Sequence, residues 1–431
     1  MEQSSRSGVK RAVRREPLRF AYFGLILFII LYFARPEDWV SGLASIPLAK
    51  ITGVLILLAL FFSFDNIRWH MPQEIIFLGL FVLQLWLTVP FSTVWRGGAF
   101  NVMLDFSKVL PLVVVIYGAV RSMERLRGLL FVQAASVATI TIASVVTRHM
   151  SNGRLQGVVA GAFGNPNDLA LIIDVSLPLC LALAMTTQSY WKKFVWTLAM
   201  LAMIYAVFLT ASRGGGIALV VVVLVCLWQL GVKSRRFYLL LLIPMAVIVF
   251  WLFGGNFLRE RFDQINIDSS ARTRSTEASE SAQQRKELLI QSLRIMAQHP
   301  LFGVGPGNFE IVSGVWRVTH NTYTQIGAEG GIPAFVLYLL ILWRAILNLR
   351  DVRKYPRSGK ESRLFSIALT ASLAAYLVGS LFASEAYQVF PYCLIAYISA
   401  LRLIVRRDKT IARLESKAEV ALAQVELPVW Q

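Results

Sequence analysis

The chain is poor in charge, in histidine and in cysteine. Asp, Glu, Lys and Arg together make up 16% of it against 56% hydrophobic residues, and the mean hydropathy is +0.60. A soluble domain carries far more polar surface, so a soluble enzyme is excluded. The three cysteines, Cys180, Cys226 and Cys393, all fall inside apolar runs, and no pair flanks a polar loop. No disulfide framework is implied. The four histidines, His70, His149, His299 and His320, lie far apart, without a His-Glu-x-x-His motif or an acidic cluster. No metal site and no cofactor is implied. No glycine run is followed by the Lys-Ser/Thr of a P-loop, so nothing points to a nucleotide as energy source.

What the chain has is long apolar runs. Twelve candidate spans lie at about 20–34, 46–64, 72–90, 109–120, 129–146, 169–187, 194–210, 216–231, 237–253, 332–349, 364–383 and 388–404. The fold class expected is all-α, a polytopic membrane protein of about twelve transmembrane helices. Several runs fall short of the roughly 20 residues that cross a bilayer, so their ends must draw on flanking polar sequence. The run at 109–120 is the shortest. Arg35 and Arg402 stand at span edges, where long side chains reach the interface.

Lys and Arg set the orientation. The tail 1–19 carries Arg6, Lys10, Arg11, Arg14, Arg15 and Arg19. Arg68, then Arg121, Arg125 and Arg127, then Lys192 and Lys193, then Lys233, Arg235 and Arg236 follow on the same side, with further clusters at 350–363 and after 404. Both termini are therefore expected in the cytoplasm of a multi-pass inner (plasma) membrane protein. This divides the chain into a basic tail (1–19), nine spans (20–253), a large periplasmic loop (254–331), three spans (332–404) and a second tail (405–431). The net charge of +18 is then mostly a topology signal; the basic residues are scattered and form no nucleic-acid module. The first apolar run resembles a secretory signal but lacks a small-residue cleavage site and runs into Arg35-Pro36-Glu37-Asp38-Trp39, so an uncleaved span is expected.

The 254–331 insert is the one long hydrophilic interruption. Residues 266–284 are polar and nearly free of large apolar groups, which reads as a mobile stretch. From Arg285 to Gln298 the pattern changes: Leu289, Leu293 and Met296 recur as the apolar face of an amphipathic helix. His299-Pro300 stops it, and Gly303-Val304-Gly305-Pro306-Gly307 makes a tight turn. A second helical stretch is expected through His320 towards Gly330-Gly331.

Candidate chemistry concentrates on the outward side. His320 suits proton abstraction from a hydroxyl, with Asn321 to orient a substrate and Glu329 two helical turns on; a packing His is the alternative. Arg213 sits in the short connection Ala211-Ser212-Arg213-Gly214-Gly215-Gly216, where glycines permit close approach and a guanidinium pairs bidentately with phosphate; a turn with a snorkelling Arg is the alternative. Arg285 opens the amphipathic helix, where free amides favour anions; a solvated basic helix end is the alternative, and Lys286 beside it has a weaker case. Asn165-Pro166-Asn167-Asp168 closes a loop containing Arg154, and reads either as turn and cap chemistry or as polar contacts to a sugar. His299 reads as a cap or packing residue, His70 as interfacial, and His149 as outward and unassigned.

In order along the chain, Gly164-Asn165-Pro166-Asn167-Asp168-Leu169-Ala170, Ser212-Arg213-Gly214, Arg285 with His299-Pro300-Leu301-Phe302-Gly303-Val304-Gly305 and Gly307-Asn308-Phe309, and His320-Asn321-Thr322-Tyr323 with Glu329-Gly330-Gly331 resemble the O-antigen ligase / O-antigen polymerase superfamily. The region from about 160 to 345 carries the resemblance. It implies a metal-independent, inverting glycosyltransferase that takes a glycan from a polyprenyl-diphosphate carrier and passes it to a lipid, glycan or protein acceptor hydroxyl at the periplasmic face. It further implies that Arg213 and Arg285 hold the diphosphate and that His320 is the general base. A transporter or flippase of a lipid-linked glycan is the rival; it would place ionisable residues deep in spans, for which Asp174, Lys50 and Arg344 are the few candidates.

Overall fold

The structure is a computed structural model that describes residues 18–39, 42, 48–62, 71–151, 153–159, 163–232, 269–315, 317–354 and 359–425. Helices dominate: α1 (Arg19–Ala34), the short α2 (Pro36–Trp39), α3 (Leu48–Phe62), α4 (Gln73–Thr88), α5 (Arg96–Phe106), α6 (Val109–Ala119) and α7 (Met123–Val146). A small antiparallel hairpin, β1 (Met150–Ser151) with β2 (Arg154–Leu155), follows. Then come α8 (Pro166–Thr186), α9 (Tyr190–Thr210), α10 (Arg213–Cys226, continued as a π-turn to Val232), α11 (Ser269–Gln298), α12 (Phe309–Val312), α13 (Thr322–Arg353), α14 (Lys360–Gly379) and α15 (Phe390–Val425). In lipid, a helix satisfies its own backbone, which is why apolar runs of this length take no other form.

Among the described residues, nine helical segments are long and apolar enough to cross a membrane. The protein is an all-α polytopic membrane protein. Each expected span has its helix except 237–253, which lies outside the described residues. The short run at 109–120 is completed by α5, which with α6 forms one 24-residue segment, Arg96–Ala119. The break between them is held by Ser107, whose Oγ accepts the Trp86 indole N–H and donates to the Met103 carbonyl.

α8 is the axis of the bundle: 83% of its apolar window is buried, and it packs against α7, α9, α10 and α14. By contrast α9 and α10 turn Leu198, Leu201, Val220 and Leu224 outward, as lipid-facing helices do. Small residues bring α8, α10 and α14 close at the end where α8 and α10 begin. A Cβ on Gly215 would lie 2.5 Å from the Ala170 Cβ, and one on Gly379 would lie 2.3 Å from Leu171 Cδ1.

The insert departs from its sequence pattern in three ways. First, α11 starts at Ser269, so 269–284 is helical; residues 266–268 lie outside the described residues. Ala, Glu, Gln and Arg in this stretch are good helix formers and extend a helix already docked further along. Arg285 therefore sits within the helix and does not open it. Second, the buried line of α11 is Leu288, Ser292 and Ile295, while Leu293 is exposed. Leu288, Leu289, Ile290, Leu293, Ile295 and Met296 spread around more than half the helix, so periodicity alone does not select a face. Docking does, through Met296 against Gly327 of α13. Third, α13 begins at Thr322, so His320 precedes the helix, with a left-handed backbone (φ 53°).

The glycine turn after α11 clamps the insert to the bundle. Val304 N–H donates to Ala328 O, Gly305 N–H to Glu329 O, Ile332 N–H to Pro300 O, and Thr93 N–H to Val304 O. The Gln84 amide of α4 donates to Leu301 O and Gly330 O. α13 kinks at Gly331 (φ 77°, ψ 177°), where a Cβ would stand 2.6 Å from the Leu301 carbonyl carbon. Gly331→Ala is therefore expected to destabilise the protein by roughly 2 kcal/mol or more, from backbone strain plus the clash. Gly79→Ala, in a helix where nothing lies within 4 Å of the new Cβ, is expected to be neutral or stabilising by up to ~1 kcal/mol. Thermal unfolding in detergent checks the contrast; equal midpoints for the two variants would refute the strain argument.

Candidate active site

The site lies where α9 turns into α10. Ala211 takes a left-handed conformation (φ 49°), and the Ser212 Oγ caps α10 by accepting the Gly215 N–H at 3.2 Å. A Cβ on Gly214 would lie 2.5 Å from the Phe382 Cβ, so the glycine lets this end of α10 sit against the 380–389 loop. Arg213 occupies the first turn and is exposed.

Arg285 arrives from α11. It shares the face of Leu288, Ser292 and Ile295, which turns it inward, and it is half-buried. Burial first, and then the nearby Arg213 charge, lower the affinity of its guanidinium for its proton. His320 reaches the same place. Burial, then the charges of Arg285 and Arg317, push its imidazole down to about 4 from the usual 6.5. His320 is thus neutral at pH 7 and has a lone pair to accept a proton. Among the described residues, neither the Arg213 nor the Arg285 guanidinium has a hydrogen-bond or ion-pair partner.

The other residues singled out in the sequence have different positions. Asn321 caps α13, its Oδ1 accepting the N–H groups of Tyr323 (3.0 Å) and Thr324 (3.1 Å). It holds His320 in place from the next position. Asn165 caps α8 through the Asn167 N–H at 2.9 Å. Arg154 ties the preceding hairpin to the site: its Nε donates to Thr210 O (2.8 Å) and its Nη2 to Asn167 Oδ1 (2.9 Å). Glu329, expected as a candidate substrate contact, is buried and fully engaged. One oxygen accepts Phe309 N–H (3.2 Å); the other accepts the Tyr387 hydroxyl (2.7 Å) and the Gln325 amide (3.4 Å). It braces the glycine turn.

Three residues join the site without having been singled out in the sequence. Arg317 lies just before His320 and acts on it through space, while its Nη1 donates to Gln284 Oε1. Its place three positions ahead of the His was a signal in plain view. Glu385 had none: it lies in the 380–389 loop, fully buried, hydrogen-bonded to Asp168. Burial, and then the Asp168 carboxylate, push Glu385 well above the usual carboxylate range. Its N–H donates to Thr322 Oγ1 (2.9 Å), and the Thr322 hydroxyl donates to Ala383 O (2.8 Å), which fixes the loop against the start of α13. Tyr387, the partner of Glu329, is the third.

The arrangement presents clustered positive charge, without an ion pair among the described residues, beside a neutral imidazole at one end of a membrane bundle. No curated protein matches the chain. Residues 198–339, which hold Arg213, Arg285 and His320, match the family model described as O-antigen ligase. The chain is a multi-pass membrane protein whose 198–339 region is similar to the O-antigen ligase family.

Proposed function

We propose that the protein transfers a glycan from a polyprenyl-diphosphate carrier to an acceptor hydroxyl at the periplasmic face of the bacterial inner membrane, with both termini in the cytoplasm. The observation that carries this reading is the pair Arg213 and Arg285, neighbouring cations with no anionic partner among the described residues. Partly desolvated like charges repel, and the cost is removed when a polyanion lies between them. A diphosphate at the membrane surface is such an anion, and guanidiniums grip it bidentately.

In the proposed step, the acceptor oxygen forms a bond to the anomeric carbon while the bond from that carbon to the diphosphate oxygen breaks. Attack from the face opposite the leaving group inverts the configuration. The hydroxyl proton passes to the neutral imidazole of His320, and the negative charge gathering on the departing diphosphate falls on Arg213 and Arg285. The guanidiniums supply the charge stabilisation, so the reaction as proposed is independent of metal. Arg317 adds positive potential and helps keep His320 neutral before the donor binds.

Three outcomes test the reading. His320→Ala should lower turnover by about 10²–10⁴-fold, while binding of polyprenyl diphosphate is retained. Retention of full transfer would remove His320 from the chemistry. The acid limb of kcat/KM, which reports the free enzyme, should fall near the value of about 4 held by His320, below an ordinary imidazole. The limb of kcat should lie higher, because bound diphosphate offsets the arginine charge that disfavours protonation. Coincident limbs near 6.5 would contradict the assignment.

Arg213→Gln and Arg285→Gln should each weaken donor binding by about 10–100-fold, the loss of a charge-assisted contact. Neither should lower the melting temperature of the ligand-free protein, because each removes repulsion. Wild type, but neither variant at the same concentration, should gain thermal stability on adding pyrophosphate. A fall in ligand-free stability with unchanged donor affinity would identify the arginines as structural.

A further inference from the structure

A second concavity opens beside the arginine site, at the end of α7. The helix closes at Thr147, and Arg148 turns left-handed (φ 49°). The hairpin then folds back: His149 N–H donates to Ser144 O, Gln156 N–H to His149 O, and Val158 N–H to the Ser144 hydroxyl. A Cβ on Gly157 would lie 2.2 Å from the Phe163 carbonyl oxygen, so the strand and the approach to α8 are pressed together. The cavity between them has a volume of about 530 Å³, within the ~300–1,000 Å³ of small-molecule sites. His149, Gln156, Asn165 and Asp38 supply its polar wall, and Val158 and Pro166 its apolar one.

The chemistry of the wall selects the ligand. His149 is exposed and Gln156 half-buried, and neither side chain hydrogen-bonds another described residue. Asp38 brings a carboxylate, held by Arg35 at 2.7 Å, and among the described residues no Lys or Arg lines the cavity. An anion is therefore disfavoured here, and a lipid chain would leave the polar groups unpaired. Mixed donors and acceptors facing a short apolar surface match a sugar ring, with hydroxyls around its edge and C–H groups on its face.

Position points the same way. Asn165, at the rim, caps α8; Asn167 takes the Arg154 guanidinium, and Arg154 also holds Thr210 O, three residues before Arg213. Arg154 does not line the cavity, but its two hydrogen bonds tie the start of α8, at the cavity rim, to the end of α9 that leads into Arg213.

We propose that this cavity is a saccharide subsite, recognising sugar units while Arg213 and Arg285 hold the diphosphate. The inference rests on the transferase reading for its ligand, but its test does not require transfer. Full-length protein in lipid nanodiscs is titrated with the oligosaccharide freed by mild acid from the producing bacterium's own polyprenyl-diphosphate carrier, and separately with glycan-free polyprenyl diphosphate. The double variant His149→Ala/Gln156→Ala should bind the oligosaccharide about tenfold more weakly, the effect of losing two modest hydrogen bonds. Its affinity for polyprenyl diphosphate should be unchanged, which also shows that it is folded. Gln156→Trp, which fills the cavity, should have the same selective effect.

Unchanged oligosaccharide affinity in both variants, or no binding by wild type, overturns the subsite. Oligosaccharide binding that needs this cavity, in a protein that transfers nothing, keeps the subsite and overturns the transferase. Where transfer is measured, a raised KM for the lipid-linked donor alone identifies donor sugars as the occupant. A raised KM for the acceptor alone identifies acceptor sugars.

Discussion

The site stands on one buried carboxyl group. Glu329 gathers donors from three separate parts of the chain: Phe309 after the glycine turn, Gln325 in its own helix and Tyr387 in the 380–389 loop. Its backbone carbonyl takes a fourth, from Gly305. Removing such an acceptor leaves several buried donors unpaired at once, at a cost of about 1–3 kcal/mol each. The parts it joins are those that position Arg213, Arg285 and His320. The glycine turn ends the helix that carries Arg285, Gln325 belongs to the helix that follows His320, and the 380–389 loop packs on the glycine beside Arg213. A residue that resembles a substrate contact in the sequence is, in the fold, the fastening between the groups that would touch one.

Several other arginines of the bundle meet carboxylates. Arg127 meets Glu361, Arg402 and Arg406 share Asp351, and Arg35 holds Asp38. Holding a half-buried cation beside another cation without an anion is costly, and a ligand can supply the missing charge. The contrast with those paired arginines lies within a single chain. It also separates the two concavities: one is rich in cation, and the other has, among the described residues, a carboxylate and no Lys or Arg.

Much of the bundle was legible in the sequence, because hydropathy reports the bilayer directly. Apolar runs map onto helices wherever the chain is described, and the one weak run, 109–120, is weak because half of its span lies upstream of Ser107. The insert was less legible. Its polar 269–284 stretch is helical by propensity and by continuation of a docked helix, which composition alone hides. The buried face of α11 is chosen by Gly327 receiving Met296, a contact between residues on different helices. Arg213, Arg285 and His320 stood out by residue type and neighbourhood. Glu385 did not, because an isolated acid in a short loop acquires meaning only when α8 brings Asp168 to it.

His320 carries a constraint of a different kind. Its backbone sits at φ 53°, a region that asparagine, aspartate and histidine enter more readily than other side-chain-bearing residues. Within that short set, only histidine offers a neutral nitrogen base. The turn admits few residue types and the proposed role of a neutral nitrogen base narrows them to one, so two unrelated requirements would meet at the same position. Alanine there would lose the ring and also strain the turn, whereas asparagine would keep the turn and lose only the base. The backbone thus provides its own control for separating shape from chemistry.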